Sequence, residues 1–158
     1  MTLLTRLHIF LLLSALAACT SSQSTENTSS SSCPITKPVW IKPPEDAAIP
    51  DAPVFGYYFA NEDQSILASA WWTDQEDYQL HVTKDGLKWG WFRPAGAPLE
   101  ITGQRLDRKA PPLHADIPGT YPTRFQATGV YFPTEGCWEV NAQAENNELT
   151  FVVWVNPE

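Results

Sequence analysis

The chain of 158 residues reads as all-β, an antiparallel β-sandwich preceded by a disordered tether. Two observations predict this. From Val54 onward, short apolar and aromatic runs recur at intervals of roughly eight to twelve residues, separated by Gly, Pro, Asn and Asp, the spacing of short strands joined by turns. No segment sustains a 3.6-residue apolar period, and breakers recur too often for a long helix.

The first residues stand apart from that pattern. Arg6 and the amino terminus form a basic start, Leu7 to Leu16 is apolar, and Ala17 and Ala18 are small. The apolar run is about ten residues, half of what a helix needs to cross a hydrocarbon core of roughly 30 Å. This order predicts a secretory signal over residues 1–18. Leu16-Ala17-Ala18-Cys19 resembles the lipobox of bacterial lipoproteins, in which the cysteine takes a diacylglycerol group and becomes the first mature residue. The resemblance implies lipidation of Cys19 and an extracytoplasmic place on the cell membrane or outer membrane. Two acyl chains hold a protein stably where one does not, because each buried methylene contributes about 0.8 kcal/mol.

Residues 19–53 read as a tether in two parts. Thr20 to Ser32 is almost entirely Ser, Thr, Gln, Asn and Glu, too polar to offset the entropy of ordering it. Pro34, Pro38, Pro43, Pro44, Pro50 and Pro53 then favour a stiff extended spacer, within which Val39-Trp40-Ile41 can dock as an edge strand.

The sandwich domain is expected over 54–158. Its candidate strands are Val54 to Ala60, Ser65 to Trp72, Tyr78 to Thr83, Leu87 to Arg93, Leu99 to Gln104, Arg124 to Phe132, Cys137 to Gln143 and Leu149 to Val155. Lys84-Asp85-Gly86 predicts a hairpin turn, since Asp-Gly accepts the positive φ of a tight turn, and Asn146-Asn147 is a weaker signal. Lys109 to Pro122, broken by Pro111, Pro112, Pro118 and Gly119, is too polar and broken for a strand and predicts a long loop passing from one sheet to the other.

Gly129 to Phe132 and Glu135-Gly136-Cys137-Trp138-Glu139-Val140, followed after a turn by Leu149 to Val155, resemble the last two strands of immunoglobulin-like domains. With Ile101-Thr102-Gly103 and the proline-rich loop, residues 87–155 are similar to uncharacterised bacterial secreted or lipid-anchored proteins. The resemblance implies an immunoglobulin-like sandwich and carries no activity. With Trp138 and Val140 inward, Cys137 faces outward, toward solvent or a covering segment such as the strap bearing Cys33.

Charge and composition narrow the chemistry. The net charge of -8 becomes about -9 without Arg6, which disfavours nucleic acid and anionic lipid surfaces as partners, so the lipid anchor has to hold the membrane. Of three cysteines, Cys33 and Cys137 remain once Cys19 is acylated, either bridged or as two free thiols. His81 and His114 sit in no nucleophile or zinc-ligand spacing, so no enzyme activity, no zinc or copper site and no cofactor is expected. Asp74, Glu76 and Asp77, with Glu62 and Asp63, could offer oxygens to calcium, but without EF-hand spacing they read as a solvated acidic turn.

Among seven tryptophans, strand alternation sends Trp72, Trp89 and Trp91 inward. It leaves Trp71 and Trp154 as the candidate ligand-binding aromatics. The expected function is a lipid-anchored binding or structural module that recognises a protein or an envelope glycan. The alternative is an accessory lipoprotein that handles a solute or metal.

Overall fold

The computed structural model describes residues 32–47, 55–74 and 79–158. The signal, Cys19 and the Ser/Thr-rich part of the tether up to residue 31 lie outside the described residues, as do 48–54 and 75–78. The strands are β1 (Val39–Ile41), β2 (Gly56–Ala60), β3 (Leu67–Ser69), β4 (Leu87–Phe92), β5 (Glu100–Arg105), β6 (His114–Asp116), β7 (Phe125–Tyr131), β8 (Gly136–Ala144) and β9 (Asn147–Val155). They form a six-stranded sheet, β1-β2-β3-β4-β7-β6, and a three-stranded sheet, β5-β8-β9. Every pairing within the two sheets is antiparallel, and together they make an immunoglobulin-like sandwich.

The period-two pattern of β4 puts Trp89 and Trp91 into the core and leaves Lys88 exposed. Burying an indole strands its N–H unless a partner is supplied. Trp89 Nε1 donates to Ser69 O at 2.7 Å, and Trp91 Nε1 donates to Thr128 Oγ1 at 2.9 Å. The facing sheet contributes Trp138, whose Nε1 donates to Thr134 O at 2.9 Å, and Phe151, whose ring stacks on Phe59 at 4.2 Å. That stack joins β2 to β9 across the sandwich. A second apolar cluster, Tyr58, Leu67 and Phe92, lies on the other face of the larger sheet.

The nine rungs of β8 with β9 make the longest ladder, from Gly136↔Val155 to Ala144↔Asn147. Its turn falls one residue earlier than Asn146-Asn147 predicts, at Glu145-Asn146, with Glu145 at φ 54° and Asn147 Nδ2 donating to Ala144 O at 3.3 Å. The β5–β8 pairing depends on a glycine. A Cβ at Gly103 would lie 2.2 Å from Leu113 Cδ2 and 2.6 Å from Glu139 O.

Several expectations need correcting. The run Ser65 to Trp72 is a strand only over Leu67–Ser69, and Trp71–Asp74 is a 3-10 turn. Thr73 donates to Ala70 O through both its backbone N, at 3.0 Å, and its hydroxyl, at 2.6 Å, which winds the chain out of the extended state. Strand alternation therefore does not govern Trp71 and Trp72.

The predicted strand Tyr78 to Thr83 contains a single parallel bridge, His81↔Asn156, and Tyr78 lies outside the described residues. The partner run stops at Pro157, which has no N–H to continue a ladder. A turn does form at Lys84-Asp85-Gly86, with Gly86 at φ +72° and its N donating to Thr83 O at 3.2 Å, but it joins no hairpin, because β4 pairs with β3 and β7.

The loop Lys109 to Pro122 does carry the chain from the smaller sheet to the larger, but against the expectation of no strand it holds β6, paired with β7. Pro112 and Pro118 bracket this strand and hold it to three residues at the sheet edge.

In the proline-rich segment, Val39-Trp40-Ile41 docks as the expected edge strand. β1 pairs with β2 through Val39↔Tyr58, Trp40↔Tyr57 and Ile41↔Gly56, so the sandwich includes residues upstream of 54.

Candidate site: a clasped strap and the cleft beside it

Cys33 and Cys137 form a disulfide with Cα atoms 5.6 Å apart, across a sequence separation of 104. Cys137 is the outward residue between Gly136 and Trp138, and the strap covers it to 1% exposure. Its backbone is fixed as well. Cys137 O accepts from Leu106 N at 2.8 Å, and Cys137 N donates to Asp107 Oδ1 at 3.2 Å.

Asp107 is itself gripped by Arg105, with Nε to Oδ1 at 2.7 Å and Nη2 to Oδ2 at 3.1 Å. The Arg105 hydrogen bonds, helped by the Cys137 N–H, pull the Asp107 carboxyl down to about 2.

Beyond the disulfide the strap seals a free edge. Thr36 N donates to Val152 O at 2.9 Å, and Val152 N donates to Thr36 Oγ1 at 2.8 Å. Farther along the same edge, Val82 N donates to Asn156 O at 2.9 Å and Asn156 N donates to Leu80 O at 2.7 Å. Those contacts satisfy backbone groups that an open edge strand would leave to any passing chain.

Between the strap, β2 and β9 lies a cleft of about 400 Å³. Phe59, Trp72, Leu80 and Val153 form its floor, with Ile35 and Pro38 on the strap side and Trp154 and Asn156 opposite. Thr36, Thr73 and Gln79 add hydroxyl and amide groups. Trp154 is 42% exposed, and its Nε1 donates to Asn156 Oδ1 at 3.2 Å while Asn156 Nδ2 donates to Leu80 O at 3.2 Å. The exposed indole is thus oriented before any ligand arrives, which lowers the ordering cost of binding. The cleft can hold an apolar face against Trp154 and hydrogen-bond its polar groups through Gln79 and the threonines.

The two tryptophans singled out by sequence part company here. Trp154 stands at the cleft. Trp71 is not an exposed contact: it is half-buried against the core, with its ring 5.8 Å from that of Trp72, and it is Trp72 that reaches the cleft floor.

Cys19 lies outside the described residues, and so do Glu76, Asp77 and the side chain of Asp74. Asp63 accepts from Ser65 N at 3.0 Å and Ser65 Oγ at 2.6 Å, which lowers its carboxyl below the usual range. Among the described residues, no group of three or more His, Cys, Asp or Glu gathers as metal ligands. The histidines have separate partners: His81 Nδ1 is 2.6 Å from Pro157 O, and the His114 ring packs 5.5 Å from Tyr131.

Sequence reasoning missed most of the cleft because Ile35, Phe59, Leu80 and Trp154 come from four separate segments. It also missed Arg93, wholly buried, whose Nη1 donates to Pro94 O and Thr123 O and whose Nη2 donates to Tyr121 O and Gln126 Oε1. This guanidinium ties together the loop that precedes β7, and desolvation lowers its pKa. Compared with known proteins, the chain matches no family model, no curated protein and no solved structure.

Proposed function

We infer that this is an exported lipoprotein, anchored through Cys19, whose immunoglobulin-like sandwich is a binding module on the extracytoplasmic side of the cell membrane or outer membrane. Its ligand is a protein or an envelope glycan, and the contact is the cleft at Trp154.

The supporting observation is the disulfide between Cys33 and Cys137. Such bridges form and persist in oxidising compartments, which is where a lipobox would send the chain. The same bridge fixes the strap that walls the cleft, so the covalent link and the recognition surface belong to one arrangement. An exposed tryptophan beside amide and hydroxyl groups suits both a sugar ring and an aromatic anchor from a protein.

Two variants test the two parts of this reading. Cys19→Ala should move the protein from the membrane to the soluble fraction, and full membrane retention would refute the anchor. Envelope material captured by the native domain should be lost with Trp154→Ala. Equal capture by that variant would remove the cleft from the account.

A further inference from the structure

The register of β1 against β2 carries the wall of the cleft past the cleft itself. Tyr57 packs against the core and Tyr58 belongs to the cluster on the opposite face, so their partners on β1 divide the same way. Trp40, opposite Tyr57, stands on the core side, and Val39, opposite Tyr58, stands on the other. The ring contact agrees, with Trp40 edge-on to Tyr57 at 4.9 Å. Pro38, two residues before Trp40, falls on the same side and lines the cleft together with Phe59. Trp40 follows it by about 7 Å of extended chain. Trp40, at 53%, and Trp154, at 42%, are the exposed tryptophans among the described residues. One lies in the cleft and the other just beyond its Pro38 wall.

The chemistry of the cleft selects what could lie across both indoles. In a chain of net charge -8, no charged side chain lines it among the described residues. A charged ligand would lose its water there without meeting a counter-charge. A neutral polyhydroxy ligand loses less, because the C–H face of a pyranose can lie on an indole while its hydroxyls stay wet. The two threonines add a matched pair. Thr36 Oγ1 accepts from Val152 N at 2.8 Å, which leaves its O–H to donate, and the Thr73 hydroxyl donates to Ala70 O at 2.6 Å, which leaves its oxygen to accept. One donor and one acceptor above the apolar floor of Phe59, Trp72 and Leu80 answer the C=O, the N–H and the methyl of an acetamido group.

We propose that the ligand of the cleft is a linear, uncharged chain of β-1,4-linked N-acetylhexosamines, with one ring on Trp154, its acetamido group on the apolar floor, and a later ring on Trp40. This rests on the reading of the Trp154 cleft as the recognition surface. The β-1,4 linkage keeps successive rings extended, so the chain presents a flat face to each indole in turn. A single ring cannot lie on both, which makes Trp40 the residue that reads the length of the chain.

The oxidised Cys19→Ala chain, which keeps every described residue, can be titrated calorimetrically with β-1,4-linked N-acetylglucosamine oligomers of two to six units. Affinity should climb by about tenfold once the oligomer is long enough to reach both indoles. Trp40→Ala should remove that climb and leave binding of the disaccharide as it was, and Trp40→Phe, which keeps an aromatic face, should restore most of it. Trp154→Ala should weaken binding at every length, while Val39→Ala, on the opposite face of the sheet, should change nothing. Glucose oligomers of the same linkage, which lack the acetamido group, should bind less tightly. No binding of any N-acetylglucosamine oligomer, a length dependence that survives Trp40→Ala, or equal binding of the glucose series would overturn the proposal, as would capture of an envelope protein in place of a glycan. Failure here with capture of envelope material still lost in Trp154→Ala leaves the cleft as the recognition surface, whereas capture indifferent to Trp154 removes the cleft reading itself.

Discussion

Asp107 shows how a single side chain ties the clasp to the sheet. Its carboxylate takes two hydrogen bonds from Arg105 and one from the Cys137 N–H. The folded pKa, about 2, lies below the ordinary 3.8, so the group adds stability at higher pH and loses it as pH falls through that interval. Thermal melts taken between about pH 4 and pH 2 should therefore fall more steeply for the native chain than for Asp107→Asn; parallel slopes would show that the Arg105 contact is energetically idle. Gly103 is a second test at this scale. One obstacle to a Cβ there is the backbone oxygen of Glu139, which cannot rotate away, so Gly103→Ala should cost about 1–3 kcal/mol in chemical denaturation.

Among the elements, the strap is the one whose stability is set by the clasp. A bridge closing a loop of about a hundred residues removes up to about 4.7 kcal/mol of chain entropy from the unfolded state in the simplest model, and typical measured values are about 2–4 kcal/mol. Cys33→Ser should lower the unfolding free energy by that lower range. It should also speed hydrogen exchange at the Val152 amide, which is held by Thr36, while the amides shared by β8 and β9 stay protected.

The strap also marks where sequence patterns stop being informative. Strands such as Leu87 to Arg93 and Leu149 to Val155 are legible because one buried face imposes a two-residue period on neighbouring residues. The outward turn of Cys137 follows from the same rule. The 3-10 turn at Trp71 is not legible, because a threonine hydroxyl and a single carbonyl override the alternation. β6 is hidden for a different reason. Three residues between prolines become a strand only when β7 lies alongside, and that is a long-range contact.

For the whole molecule, the sandwich class was readable and the site only in part. The acidic charge, the breaker spacing and the outward cysteine each follow from residue types in order along the chain. The cleft requires four distant segments to meet, and Trp154 alone carried a local signal of exposure. The larger arrangement ties the sheets through one segment: the strap is bridged to β8 of the smaller sheet at Cys137, and β1, which continues it, pairs into the larger one. The proposed lipoprotein is acylated at Cys19 and has a strap covalently closed by Cys33 and Cys137. Intact mass of the protein extracted from cell membranes tests it most directly. The expected species is a chain beginning at Cys19, carrying the added mass of a glyceride with acyl chains, and gaining mass on reduction as the bridge between Cys33 and Cys137 opens. A chain with an unmodified Cys19, or one with three free thiols, would contradict it.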